Sequence, residues 1–430
     1  MNQSPAETIV QFLGFSVEHR DQGLAGIQQF SRRQWERVPQ WLDDAGLGFY
    51  FLQKLKDVNA TDTIPDSVLG YLLRNFAANQ LRVEDMSRRF DVINKKFNDT
   101  GIRYAVIKGF SLIPEFCPYS PLRHQGDLDY LVDDESFPAA CRVLVEAGYL
   151  AKESFSRVEK IFIIPGAKPS RGAAQYSPRG PHAVELHTNM WDGDMHRLPQ
   201  IPNLSFLDRA VHKHWNGLTF PALCDEDAFV VQILHTCHHL FTLWLRMSSL
   251  LEIGYFLNRR TDDREFWNRT AQAIAAIPTL REFVVIVTEL VSRLFAAPLP
   301  ALVQAWAVKI RPASRVWIEH YARRCAFSDL PFYQFRLFPT VKFALFLHQQ
   351  FREDASVGKS VVRKRLLPSA RISRMASSLK KHPSLALKPS WWGHHMFVRR
   401  SMFHILAGIR YLVEVPRWRW RNRKSVPIAS

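Results

Sequence analysis

Cysteine is scarce in this chain: five in 430 residues, Cys117, Cys141, Cys224, Cys237 and Cys325, odd in number and with no C-x-x-C pair. That spacing excludes a disulfide framework and a structural zinc site, and it fits a reducing compartment. No run of roughly 20 apolar residues is present, so no segment is expected to span a bilayer. The stretch Phe283 to Val287 ends against Glu289 and Arg293 and reads as core. The first 22 residues have neither a basic cluster nor a sustained apolar run and do not read as a secretory signal. The expectation is a soluble cytoplasmic protein, and no repeat of fixed period is evident.

Acidic residues are also nearly missing from one region. The formal charge is +17, from 57 basic and 40 acidic residues. Between Ala355 and Ser430 stand 17 Lys and Arg and the single acid Glu414, a net of +16 that leaves +1 for everything before it. The charge therefore belongs to a terminal region in which basic residues alternate with aromatics, as in Arg417-Trp-Arg-Trp-Arg421. Only Ser401 to Val415 looks helical within it, with Phe403, Leu406, Ile409 and Leu412 on one stripe. Such a tail suits either an anionic membrane surface, peripheral at its inner face, or RNA, through phosphate contacts and stacking.

The body divides by texture. Residues 1–100 are helical in pattern, with Leu69, Leu72, Leu73, Phe76, Met86, Phe90 and Phe97 mostly three or four apart and Asp66 offered as an N-cap. Residues 101–200 carry short β-type runs at Arg103 to Ile107, Leu128 to Val132, Val158 to Ile164 and Ala183 to Leu186, with one helix from Ser136 to Glu146. Residues 201–354 return to helix, Ala228 to Leu257 being apolar on most faces. Residues 355–430 form the basic tail. The class is α+β, a mixed core between helical regions.

The chemistry sits in the middle segment. In Gly126-Asp127-Leu128-Asp129-Tyr130 a strand places Asp127 and Asp129 on one face and Leu128 and Tyr130 on the other. Both carboxylates are charged at neutral pH, so their pairing costs repulsion unless a cation offsets it, and oxygen donors at that spacing suit hard divalent ions. Upstream, Lys108-Gly109 ends a strand, the glycine allowing close backbone approach to a phosphate and the lysine supplying a positive charge. Arg123 follows. Downstream, Glu185 and His187 share a strand face and supply a third acid. Three carboxylates holding two magnesium ions is an arrangement suited to phosphoryl and nucleotidyl transfer. His235 and His239, four apart on a helix, sit among Phe241, Leu243, Trp244 and Leu245, a packed-core setting rather than a zinc site.

Taken together, Ile107-Lys108-Gly109, Tyr119, Arg123, Asp127-Leu-Asp129-Tyr-Leu-Val132, Ala147-Gly148-Tyr149 and Glu185-Leu-His187, and more loosely the helix from His235 to Leu257, give a chain that resembles the uncharacterised bacterial nucleotidyltransferases of the DNA polymerase β-like superfamily. The resemblance spans roughly residues 65 to 260. It implies a small mixed sheet flanked by helices, a nucleoside triphosphate bound with Mg2+, and transfer of a nucleoside monophosphate to an acceptor hydroxyl with release of pyrophosphate. By that resemblance Asp127, Asp129 and Glu185 are the metal ligands and catalytic carboxylates, Glu185 also orienting or deprotonating the acceptor. Lys108, Gly109, Ser111 and Arg123 are the nucleotide-binding residues. Phe110 stands where relatives usually have Gly or Ser, and Arg246 and Glu252 occupy the later helix where relatives place an Arg and an Asp. Two alternatives stand beside this reading: a toxin-like enzyme acting on tRNA, and a catalytically degenerate scaffold at a membrane surface.

Overall fold

The computed structural model describes residues 3–152, 156–165, 175–177, 182–193, 198, 200–202, 204–328, 341–351, 362, 366 and 390–425. The chain divides into two compact units. One comprises Met1–Met195, Gln200–Cys237 and Arg246–Val308, and the other His196–Pro199, His238–Leu245 and Lys309–Ser430.

The first unit is built on a seven-stranded mixed sheet with helical flanks, in agreement with the α+β expectation. Its strands are β1 (Tyr104–Val106), β2 (Asp127–Val132), β3 (Leu150–Lys152), β4 (Glu159–Ile163), β5 (Ala183–His187), β6 (Val211–Trp215) and β7 (Leu218–Ala222), in the order β3-β4-β5-β2-β1-β7-β6. The centre of the sheet is the antiparallel pair β1 and β2, with Val106 opposite Tyr130, and the parallel pair β2 and β5, with Asp129 opposite Glu185. The last two strands lie beyond residue 200, where the sequence pattern suggests only helix. They form a hairpin whose turn, Asn216-Gly217, has positive φ at both positions (47° and 78°), the backbone that Asn-Gly adopts readily.

One face of the sheet is covered by helix Asp66–Asp99. Met86, Phe90, Ile93 and Phe97 recur at steps of four, three and four and are buried against Tyr104, Leu128, Tyr130, Val184 and Leu186. Phe90 meets Phe110 and Phe220 edge to face, with ring centroids 5.1 and 4.8 Å apart. Pro65 precedes this helix and Asp66 is its first residue, so Asp66 is not the cap. At the far end Gly101 takes φ 68° and turns the chain into β1. Helix Phe137–Glu146 adds Ala140, Val143 and Leu144 to the same core. The strand alternation that buries Leu128 and Tyr130 leaves Asp127 and Asp129 on the other side.

The apolar stretch from Ala228 to Leu257 is two helices, Asp225–Thr242 and Met247–Arg260. They are separated at Leu243, which has φ 65°, and the Trp244 N–H closes the last turn on the His239 carbonyl (2.8 Å). Phe283 to Val287 lies in helix Pro278–Phe295 and is buried, as its hydrophobicity suggests. In the second unit, helices Pro312–His320, Ala322–Ala326, Ala344–His348 and Ser390–Ser425 gather around Tyr321, Phe343, Phe346 and Trp418. The helix expected over 401–415 is thus the middle of a longer one. The basic runs between residues 363 and 381 lie outside the described residues, apart from Leu366.

Candidate active site

Parallel pairing of β2 with β5 sets Asp127 opposite Ala183, Asp129 opposite Glu185 and Leu131 opposite His187. Residues two apart on a strand share a face, so the register brings two acids from one strand and the Glu-x-His pair from its neighbour onto a common surface. Ligand atoms of Asp129, Glu185 and His187 all lie within 4.8 Å of one another. His187 Nε2 is 3.5 Å from Asp129 Oδ1 and 3.7 Å from Glu185 Oε2. Asp127, one face position earlier and half-buried, completes the acidic group.

Lys108 enters from the end of β1. The Ile107 N–H donates to the Asp129 carbonyl (3.2 Å), which aligns the two strand ends and places Lys108 Nζ 2.5 Å from Asp129 Oδ1. Both side chains are almost wholly withdrawn from solvent, 7 % and 1 % exposed. The sequence pattern turns Lys108 toward a phosphate. In the structure its ammonium is the counter-ion of Asp129.

The electrostatics follow from that packing. Burial alone would raise the Asp129 pKa, but Lys108 and then His187 reverse the effect and hold the carboxyl well below the ordinary carboxylate range. Burial raises Asp127, and the neighbouring Asp129 charge adds to it; Glu185 is raised too, chiefly by burial. Burial would lower Lys108 and His187, yet the surrounding acids win in both cases: Lys108 is pushed up and His187 rises to about 9. The cluster is therefore a set of acids held together by two built-in cations. An oxygen-rich donor set of this kind fits a hard divalent cation, with the protonated His187 a partner to the two carboxylates and a nitrogen donor only once it gives up its proton.

The turn after β1 is tight. Gly109 has φ 66°, and a Cβ there would lie 2.2 Å from Gln125 Nε2. Gln125 in turn donates to the Asp127 carbonyl (2.9 Å). The connection leading into β2 is fastened from helix Asp66–Asp99: Asn79 Nδ2 donates to the carbonyls of Pro121 (2.9 Å) and Arg123 (3.3 Å), and Arg82 Nε to that of Gln125 (3.0 Å). Asn79 and Arg82, three apart and buried, thus position the approach to the acids. Ser111 is buried and its hydroxyl donates to the Lys108 carbonyl (3.2 Å).

Arg123, partly buried with its side chain 19 % exposed, acts electrostatically on these acids. Its Nε is 3.2 Å from Glu252 Oε1, which also accepts from the Tyr50 hydroxyl (3.1 Å). Arg123 Nη1 has no hydrogen-bond partner despite being buried. Arg246, immediately before helix Met247–Arg260, adds positive potential at Asp127 and at Glu252. Glu252 therefore fixes Arg123 and stands apart from the acidic cluster.

The family described as "Uncharacterised nucleotidyltransferase" matches residues 31–296, a span that contains Lys108, Arg123, all three acids, His187 and Glu252. The chain belongs to that family. No curated protein matches it. For this nucleotidyltransferase-family chain, Asn79, Arg82, Gln125 and Tyr50 are the positioning residues that sequence reading does not single out. For Asn79 and Arg82 a signal exists: with Asn75 and Asn94 they are the polar residues on the buried, mostly apolar stripe of their helix.

Proposed function

We propose that this protein transfers a nucleoside monophosphate from a nucleoside triphosphate to an acceptor hydroxyl, with Mg2+ held by Asp127, Asp129 and Glu185. What supports the reading is the convergence of those acids with His187 on one face of the β2/β5 pair, within a chain of a nucleotidyltransferase family. Divalent ions, when bound, neutralise triphosphate charge and polarise the reacting phosphoryl group. Arg123, with a buried and unmatched Nη1, supplies a fixed positive charge for the triphosphate. Gly109 lets the backbone come close to it. Glu185, whose proton affinity is raised by burial, takes the proton of the acceptor hydroxyl as the acceptor oxygen bonds to the α-phosphorus. The bond from that phosphorus to the bridging oxygen breaks, and pyrophosphate leaves.

Label transfer from α-32P nucleoside triphosphates into cell-extract acceptors tests the reading. Incorporation is expected to require Mg2+, to stop with EDTA and to vanish in Asp127→Asn with Asp129→Asn. Labelling that persists undiminished in that double variant would overturn it, and calorimetry showing no Mg2+-dependent triphosphate binding would favour the scaffold alternative.

A further inference from the structure

Helix Ser390–Ser425 in the second unit has two apolar faces, and among the described residues only one is covered. Phe403, Ala407, Tyr411 and Trp418, at steps of four and seven, are buried. Phe346 stacks on Tyr411 and Trp418, with centroids 4.5 and 4.9 Å apart, and Gln349 Nε2 donates to the Tyr411 hydroxyl (2.7 Å). On the other side Val398, Met402, Ile405, Ile409, Leu412 and Trp420 are each 50 to 60 % exposed. At 3.6 residues per turn these six fall within an arc of about 100° and run about 33 Å along the axis. The stripe over Phe403, Leu406, Ile409 and Leu412 that the sequence suggests is thus divided between the two faces.

The C-terminal end of the exposed arc is basic. Along its last two turns Arg417 and Lys424 lie at one edge, Arg419 at the other and Arg423 within the arc beyond Trp420, all exposed except for their local partners. Lys424 Nζ sits 4.1 Å over the Trp420 ring. The only acid of the helix, Glu414, is buried on the covered face, where it meets the Tyr321 hydroxyl (3.4 Å) and Arg421 (3.7 Å). Toward solvent the helix therefore shows an aliphatic band that runs into a cluster of positive charge.

We propose that this band lies in the interfacial layer of an anionic bilayer, parallel to its plane, with the apolar side chains below the headgroups and the arginines against lipid phosphates. Charge complementarity selects this occupant. A second copy laid alongside in parallel would set the arginine clusters of the two bands against each other. RNA stacks bases on aromatic or guanidinium planes, and five of the six side chains of the band are not aromatic. No helix among the described residues is long and apolar enough to cross a membrane, which suits a helix that lies on one. The inference is independent of the reaction proposed at Asp129.

Flotation of the full chain with phosphatidylglycerol/phosphatidylcholine vesicles, against pure phosphatidylcholine vesicles, tests it. The protein is expected to float with the anionic vesicles only. Ile409→Asp with Leu412→Asp, at exposed positions, is expected to lower the bound fraction by about tenfold or more with an unchanged thermal melt. Arg419→Gln with Arg423→Gln, which spares the apolar band, is expected to weaken flotation and its salt dependence together. A wild-type chain that stays with the soluble fraction overturns the proposal, as does undiminished flotation of the Asp variant. A dimer in sedimentation velocity that the Asp substitutions dissociate would assign the band to a second copy. An RNA gel shift that the same substitutions abolish would assign it to RNA.

Discussion

Lys108 Nζ lies 2.5 Å from Asp129 Oδ1, a cation and an anion paired almost out of reach of water at the point where β1 and β2 meet. Buried pairs of this kind cost much more to break than they contribute when intact, because removing one partner leaves an uncompensated charge in a poorly polarisable site.

Asp129→Asn is therefore expected to destabilise the fold by about 3–5 kcal/mol in urea denaturation, and Lys108→Met by a similar amount. The two substitutions together are expected to cost far less than their sum. Additive losses in the double-mutant cycle would show that the pair is not coupled.

Gly109→Ala places a side chain in the left-handed region and against Gln125. A loss of about 1–2 kcal/mol is expected from the backbone conformation alone, with a further loss because Gln125 must release the Asp127 carbonyl. In a Gln125→Ala background the clash disappears while the conformational cost stays, so the Gly109→Ala penalty measured by urea denaturation should shrink but not vanish.

Glu252→Ala strips Arg123 of its buried partner and should cost about 3–5 kcal/mol. Tyr50→Phe removes only a hydroxyl donor to the same carboxylate, and about 1 kcal/mol is expected. If Arg123 meets the triphosphate, calorimetry on Tyr50→Phe, which remains folded, will show weaker nucleotide binding as the guanidinium loses its fixed position.

His124 provides a pH dependence. Burial, then the nearby charges of Arg82 and Arg246, lower its pKa from 6.5 to about 3, and its Nε2 lies 3.1 Å from the Gln175 carbonyl. Below about pH 6.5 the unfolded chain binds a proton that the folded chain refuses until about pH 3. Stability attributable to this group therefore falls with decreasing pH across that window, by about 1.4 kcal/mol per pH unit. Denaturation at pH 7.5 and 5.5 should show a stability difference smaller by about 1.4 kcal/mol in total in His124→Gln, because only the unit below pH 6.5 contributes. An unchanged difference would mean that His124 takes up a proton as readily in the folded protein as in the unfolded chain.

Much of this arrangement can be read from the chain. The alternation in Asp127-Leu-Asp129-Tyr sorts acids from core residues because a strand has a two-residue period, and the aromatic steps from Met86 to Phe97 mark the helix that covers the apolar side. What the chain does not show is register. Nothing local says that Asp129 rather than Asp127 stands opposite Glu185. Nor does it show where long side chains end: Lys108 and Arg123 are both cations near acids, yet one pairs with Asp129 and the other with Glu252, 129 residues away. The strands at 211–215 and 218–222 are hidden for another reason. The edge strand Val211-His-Lys-His-Trp215 is largely polar and exposed, and only its Asn-Gly turn announces it.

Glu414, the sole acid after residue 354, is enclosed by the Tyr321 hydroxyl and by Arg324, Arg417 and Arg421. A helix with two oily sides can spin about its own axis with little change in energy, since one greasy side packs much like the other. A carboxylate that must meet these particular partners admits a single angle. The lone negative charge thus serves as a keyway, deciding which side of helix Ser390–Ser425 is turned inward. An insertion of one residue between Tyr411 and Glu414 would rotate everything beyond it by about 100° and bring Trp420 and its neighbours out of line with Ile409.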